Sequence, residues 1–130
     1  MREYIRGTAL SIWLRPGAQE SWTVAEQAVP KGSESAGAAQ FRARMSHLAE
    51  NGRLRSPDHM RHEDDGIYAV RANCGLRAYG WHCSYRGRRA FVISHVVLKK
   101  QQKLDPADKA RALKGKAEFE AEEKRLGGKK

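Results

Sequence analysis

The stretch from Tyr68 to Lys103, YAVRANCGLRAYGWHCSYRGRRAFVISHVVLKKQQK, constrains the fold more than any other part of the chain. With Ile67 just before it, it carries three strand-length runs, "IYAVRAN", "LRAYGWHCSY" and "RAFVISHVVL". The last two flank "RGR" with Gly87 at the turn, which is a hairpin signal. Three antiparallel strands in sequence are predicted. In the middle run Tyr79, Trp81, Cys83 and Tyr85 alternate onto one face, and Arg77 shares their parity. A plain core sheet carries charge only at its turns, so cations inside these runs need an explanation.

The remaining segments supply what such a sheet packs against. Ala38, Phe41, Met45 and Leu48 recur at three- and four-residue intervals between Ala36 and Glu50, the stripe of an amphipathic helix. Ser33 or Ser35 offers its N-cap, and Asn51-Gly52 a left-handed C-terminal cap. Ala9–Leu14 is a short apolar run. "SWTVAEQAV", Ser21–Val29, is read as a second strand with Trp22, Val24 and Ala28 on one side. "RLRSPDHMRHEDDG", Arg53–Gly66, is polar and reads as a surface connection, with Asp64 and Asp65 solvated. At the end of the chain Asp105 caps a helix with Pro106 at its first position, and Ala110, Leu113 and Ala117 form a weak stripe. Gly115 weakens that helix by about 1 kcal/mol relative to Ala.

The predicted class is α+β: a small antiparallel sheet of three to five strands, an N-terminal helix or helices on one face, and a C-terminal helix. One domain spans residues 1–126, in which residues 1–30 are an extension with one or two strands, and residues 127–130 form a basic tail. A chain of 130 residues suits one domain.

Lys and Arg number 25 against 15 Asp and Glu, for a net charge of +10. A surplus of this size concentrates polyanions around the protein, nucleic acid first and an anionic membrane surface second. No apolar run reaches the length of a membrane span, and the start lacks a signal peptide's pattern, so a cytoplasmic protein is expected. Cys74 and Cys83 are too few for a disulfide framework, match no zinc spacing and are expected to be packing thiols. There is no GxxxxGK[ST], HExxH, GxSxG or paired CxxC motif.

Strand alternation lets Arg71 and Arg77 point to the same side of adjacent strands, with Lys99 and Lys100 leaving the third, which makes a cationic groove. Taken singly, each could simply reach out to solvent. His59, Arg61 and His62 precede the first strand, and His82 and His95 lie within strands. Histidine exchanges protons near neutral pH, and a nearby cation stabilises a pentavalent phosphorane. RNA cleavage by its own 2′-hydroxyl needs a base, an acid and such a stabiliser. The alternative for each histidine is a solvated loop residue or a hydrogen-bonded sheet residue.

The order "IYAVR", "LRAYGW", "FVISHVVLKKQQK", "DPADKARAL" resembles the HigB-like, phage-derived branch of the RelE/ParE toxin superfamily, over the C-terminal half of the chain. The resemblance implies a compact α+β fold and cleavage of mRNA in the ribosomal A site without a metal or other cofactor. It implies that Arg71 and Arg77 bind or stabilise the scissile phosphate, that Lys99 or Lys100 contacts backbone, and that His59 or His62 transfers protons. Arg61, Lys103 and His95 complete the expected RNA-binding set. The implied partners are mRNA, the ribosome and a helix-turn-helix antitoxin, with DNA met only through an antitoxin complex and no membrane. The sequence departs from the branch at Cys74-Gly75, which widens the gap between the two arginine motifs, and it lacks a tyrosine after Tyr85. Two other functions suit the same fold: a noncatalytic inhibitor of a partner such as gyrase, and a phage nucleic-acid-binding protein.

Overall fold

The computed structural model describes residues 1–30, 34–55, 59–99 and 105–127. Its elements are β1 (Arg2–Arg6), β2 (Ser11–Leu14), α1 (Ala18–Gln27), α2 (Glu34–Asn51), β3 (Met60–Asp64), β4 (Ile67–Arg71), β5 (Leu76–Tyr85), β6 (Arg88–Leu98) and α3 (Pro106–Gly127). The fold is α+β, but the sheet is larger than expected. Six strands lie in the order β1-β2-β6-β5-β4-β3. The sheet is also mixed, because β2 runs parallel to β6 while every other pair is antiparallel. The parallel pair arises because β2 is followed by two helices, which carry the chain across a face before it returns through β3, β4 and β5.

The three predicted strands are β4, β5 and β6, paired antiparallel in sequence. Arg86 and Gly87 both take positive φ, 54° and 76°, between the paired ends Tyr85 and Arg88. That is the two-residue turn whose twist matches a hairpin. Asp65 and Gly66 repeat it at 52° and 80° between β3 and β4. The polar stretch read as a connection therefore contains an edge strand, whose charged residues suit an unpaired edge.

Each sheet face has its own core. On one, α1 and α2 bring Trp22, Phe41, Met45 and Leu48 against Ile12, Val70, Ala78, Phe91 and Ile93. On the other, α3 brings Ala112 and Phe119 against Ile67, Ala69, Tyr79, Trp81 and Val92. The predicted α2 stripe is buried throughout, and Gly52 N–H bonds the Leu48 carbonyl at 2.7 Å to close the helix. Its start falls two residues early, at Glu34, which places Ser35 inside the helix; Ser33 lies outside the described residues.

Two readings are corrected. Ser21–Val29 is not a strand: Ala18, Trp22, Ala25 and Val29 are buried at helical spacing while Val24 is 65% exposed, so α1 covers most of the segment. The buried stripe of α3 is Ala112 and Phe119, with Leu113 beside it, while Ala110 and Ala117 are exposed. Asp105 does cap α3, its carboxylate accepting the Ala107 N–H at 2.8 Å. The helix runs on through Gly127, and residues 128–130 lie outside the described residues. Among the described residues no helix is long and apolar enough to cross a membrane.

Candidate nucleic-acid interface

The tight connection after β4 puts two arginines side by side. Ala72 N–H bonds the Leu76 carbonyl and Gly75 N–H the Ala72 carbonyl, both at 3.0 Å. Gly75 holds φ at 104° with the Lys99 backbone packed where a side chain would lie, so glycine is required there. The outcome is that Arg71 and Arg77 are direct cross-strand partners. Directly opposed residues project to the same side, and alternation from Ala69 and Tyr79 makes it the α3 side. Arg77 is only 4% exposed. Burial lowers its pKa, and the Arg71 charge pushes in the same direction, opposed by Tyr79 and Glu63.

Anions and further cations surround the pair. From β3, the Arg61 Nε lies 3.9 Å from a Glu63 carboxylate whose side chain is almost wholly buried. The Glu63 Oε2 and the Tyr79 hydroxyl are buried and make no hydrogen bond to the described residues. Burial raises the Tyr79 pKa far above its ordinary value, with Asp108 adding to the rise. From β6, His95 is fully buried, its ring 5.4 Å from that of Tyr79. Its Nδ1 lies 2.9 Å from the Ser94 hydroxyl and its Nε2 3.1 Å from Asp108 Oδ1 on α3. The other Asp108 oxygen takes a 3.4 Å bond from Lys99 Nζ. Burial holds His95 below the ordinary histidine pKa, although the Asp108 hydrogen bond works the other way. In the neutral ring Ser94 O–H donates to Nδ1 and Nε2–H donates to Asp108.

The structure therefore brings Arg61, Arg71, Arg77, Lys99 and His95 to one sheet face. His59 sits at its rim, where its carbonyl accepts the Arg71 N–H at 2.8 Å. It does not bring His62 there. That ring stacks 4.8 Å from Tyr68, which packs into the core beneath α1 and α2 on the opposite face. His82 joins the same far-side stack, 5.0 Å from Tyr68 and 5.1 Å from Phe91. Lys100 and Lys103 lie outside the described residues.

Other cations have structural roles. Arg88 bonds Ser11 Oγ and the Gly7 carbonyl, and Arg89 donates to the Gly52 carbonyl at 2.8 Å. Arg15 binds Glu122 through both terminal nitrogens, fastening α3 to the end of β2. Asp64 and Asp65 are exposed, as expected, and both also pair with Lys109 of α3, at 2.6 and 3.2 Å. Cys74 and Cys83 are free and half-buried, and burial lifts the Cys83 thiol to about 11. Among the described residues no group of three His, Cys, Asp or Glu could hold a metal ion.

Glu63, Tyr79 and Asp108 belong to the site and were not singled out for it from sequence. Glu63 was detectable, since it stands two residues from Arg61 and so shares its side of an extended strand. Asp108 was not, because its contact depends on how α3 lies on the sheet. A scan against family models and a search of curated proteins each found no match to this chain.

Proposed function

We propose that this protein is a toxin-like endoribonuclease that binds mRNA across the Arg71–Arg77 hairpin, acts at the ribosome in the cytoplasm without a metal, and is held in check by an antitoxin. The observation that carries the reading is the direct pairing of Arg71 and Arg77 on one sheet face, with Arg61 and Lys99 on the same side. Two guanidiniums in register can bind adjacent oxygens of one phosphate, a geometry lysine cannot match. The net charge of +10 supports a polyanionic partner.

In the reaction, the ribose 2′-oxygen attacks phosphorus while its proton passes to a base. The bond to the 5′-oxygen breaks as that oxygen is protonated, leaving a cyclic phosphate and a free 5′-hydroxyl. The arginines stabilise the charge that builds on the phosphorane. Arg77→Ala should lower cleavage by on the order of a hundredfold, as loss of an oxyanion-type donor does. The test is induced expression in a bacterial host, following growth and mapping mRNA 5′ ends for the parent and for Arg71→Ala/Arg77→Ala. Growth arrest with new ends that the double variant lacks supports the nuclease, and equal cleavage by the double variant refutes it.

A second reading has its own support. His62 lies on the far face and His95 is held between Ser94 and Asp108, so neither is presented to the arginines as a free acid or base. That arrangement favours a noncatalytic protein that binds nucleic acid or blocks a partner such as gyrase. Arrest without new ends would select it.

A further inference from the structure

Asp108 sets its carboxylate between two nitrogen donors of the sheet face. One oxygen faces His95 Nε2 at 3.1 Å and the other takes the Lys99 ammonium at 3.4 Å. His95 pairs with Tyr79 across the β5–β6 ladder, two residues along β5 from Arg77. That is a step of about 6.8 Å along an extended strand, comparable to the separation of neighbouring phosphates in a single strand of RNA. The seat and the arginine pair lie on the same sheet face. Asp108 also belongs to the first turn of α3, which Lys109 ties to Asp64 and Asp65, and the helix is fastened further along by Ala112 and Phe119 in the core and Glu122 on Arg15.

We propose that the His95–Lys99 seat is a second phosphate subsite beside Arg71 and Arg77, and that Asp108 fills it as an internal competitor. An RNA phosphate entering the seat takes over the bonds of Asp108 and turns its side chain out, loosening the start of α3 while Lys109, Ala112 and Phe119 hold the helix to the sheet. Two groups of like charge cannot share the seat, so each weakens binding of the other. This inference rests on the reading of the arginine face as an RNA site.

The seat makes opposite predictions from a purely structural salt bridge. A 5′-labelled single-stranded RNA is titrated by fluorescence anisotropy against the parent, Asp108→Asn and Glu122→Gln. Both variants remove one negative charge from α3 and weaken one of its ties to the sheet, but only the first removes the charge from the seat. Asp108→Asn should bind at least about fivefold tighter, the low end of ordinary coupling between competing ligands, with Glu122→Gln close to the parent. Equal gains in both variants would reduce the effect to net charge and overturn the proposal, as would no gain in Asp108→Asn. Amide hydrogen exchange on the parent serves even if Asp108→Asn does not fold. With RNA bound, amides in the first two turns of α3 should exchange faster, and slower exchange there contradicts the competitor. If the parent binds no RNA at low salt, the function reading itself fails and the subsite falls with it. If RNA binds in an Arg71- and Arg77-dependent way but neither change appears, only the subsite fails.

Discussion

At the scale of single residues, half-buried His82 and fully buried His95 make stability depend on pH. Burial lowers the pKa of His82, helped by the Arg89 charge, and burial lowers that of His95 against the pull of Asp108. In the unfolded chain both return to about 6.5. Between the depressed folded values and 6.5 the unfolded chain binds more protons, so stability is full above about pH 7 and falls as the pH drops through 6.5. Asp64 and Glu122 also have lowered pKa values, from hydrogen bonds to Lys109 and Arg15, but carboxylates act only at lower pH. Thermal melts between pH 7.5 and 5.5 should therefore show a falling midpoint. His82→Phe should flatten part of that slope, because a ring fits between Tyr68 and Phe91 and carries no proton. A pH-independent midpoint in the parent would contradict the account. The sequence offered the shared side of Arg71 and Arg77 only as one possibility, because parity is fixed within a strand but the side shared by two strands depends on the β4–β5 register.

Among elements, legibility depended on how local the determining contacts are. The β5–β6 hairpin, the α2 stripe and the Asp105 cap are written in neighbouring residues, and the structure has them where the sequence put them. Edge strand β3 was hidden because its polar composition suits an exposed edge, although Asp65-Gly66 is itself a hairpin signal. α1 was mistaken because apolar residues in Ser21–Val29 satisfy either period over so short a window, and only burial of Ala18 and Trp22 against exposure of Val24 decides. The parallel pairing of β2 with β6 has no local signature at all. Gly115 tests the element most involved in the proposed site. A Cβ there would lie 3.5 Å from Ser94 Oγ and 3.7 Å from Trp81, ordinary contact distances, and the helix continues through it. Gly115→Ala should thus stabilise the fold by about 0.5–1 kcal/mol through reduced freedom of the unfolded chain. Phe119→Ala should cost about 3–5 kcal/mol by emptying the smaller core. Urea denaturation measures both, and destabilisation by Gly115→Ala would mean that α3 sits closer to the sheet than these distances allow.

For the whole molecule, the question is which part of a +10 charge a polyanion meets. Arg15, Arg42, Arg88 and Arg89 are each committed to internal oxygens, on Glu122, Glu26, Gly7 with Ser11, and Gly52 respectively. Arg42 belongs to the face covered by α1 and α2, away from the hairpin. The arginine pair is gathered on the α3 face, with Arg61 beside Glu63 and Lys99 on Asp108 there, so the candidate binding charge is concentrated in one part of the molecule. Salt dependence tests this. For a single strand, each phosphate neutralised contributes about 0.7 to the slope of log affinity against log salt. Arg71→Ala/Arg77→Ala should lower that slope by about 0.7 if the two arginines together hold one phosphate, whereas Arg42→Ala should leave it nearly unchanged. Equal slopes for all three proteins would mean that RNA is held by diffuse charge over the whole surface. A loss of affinity in the double variant with an unchanged slope would assign the arginines to shaping the sheet instead of binding the backbone. Only a slope change confined to the hairpin variant is what two register-paired guanidiniums on a phosphate require.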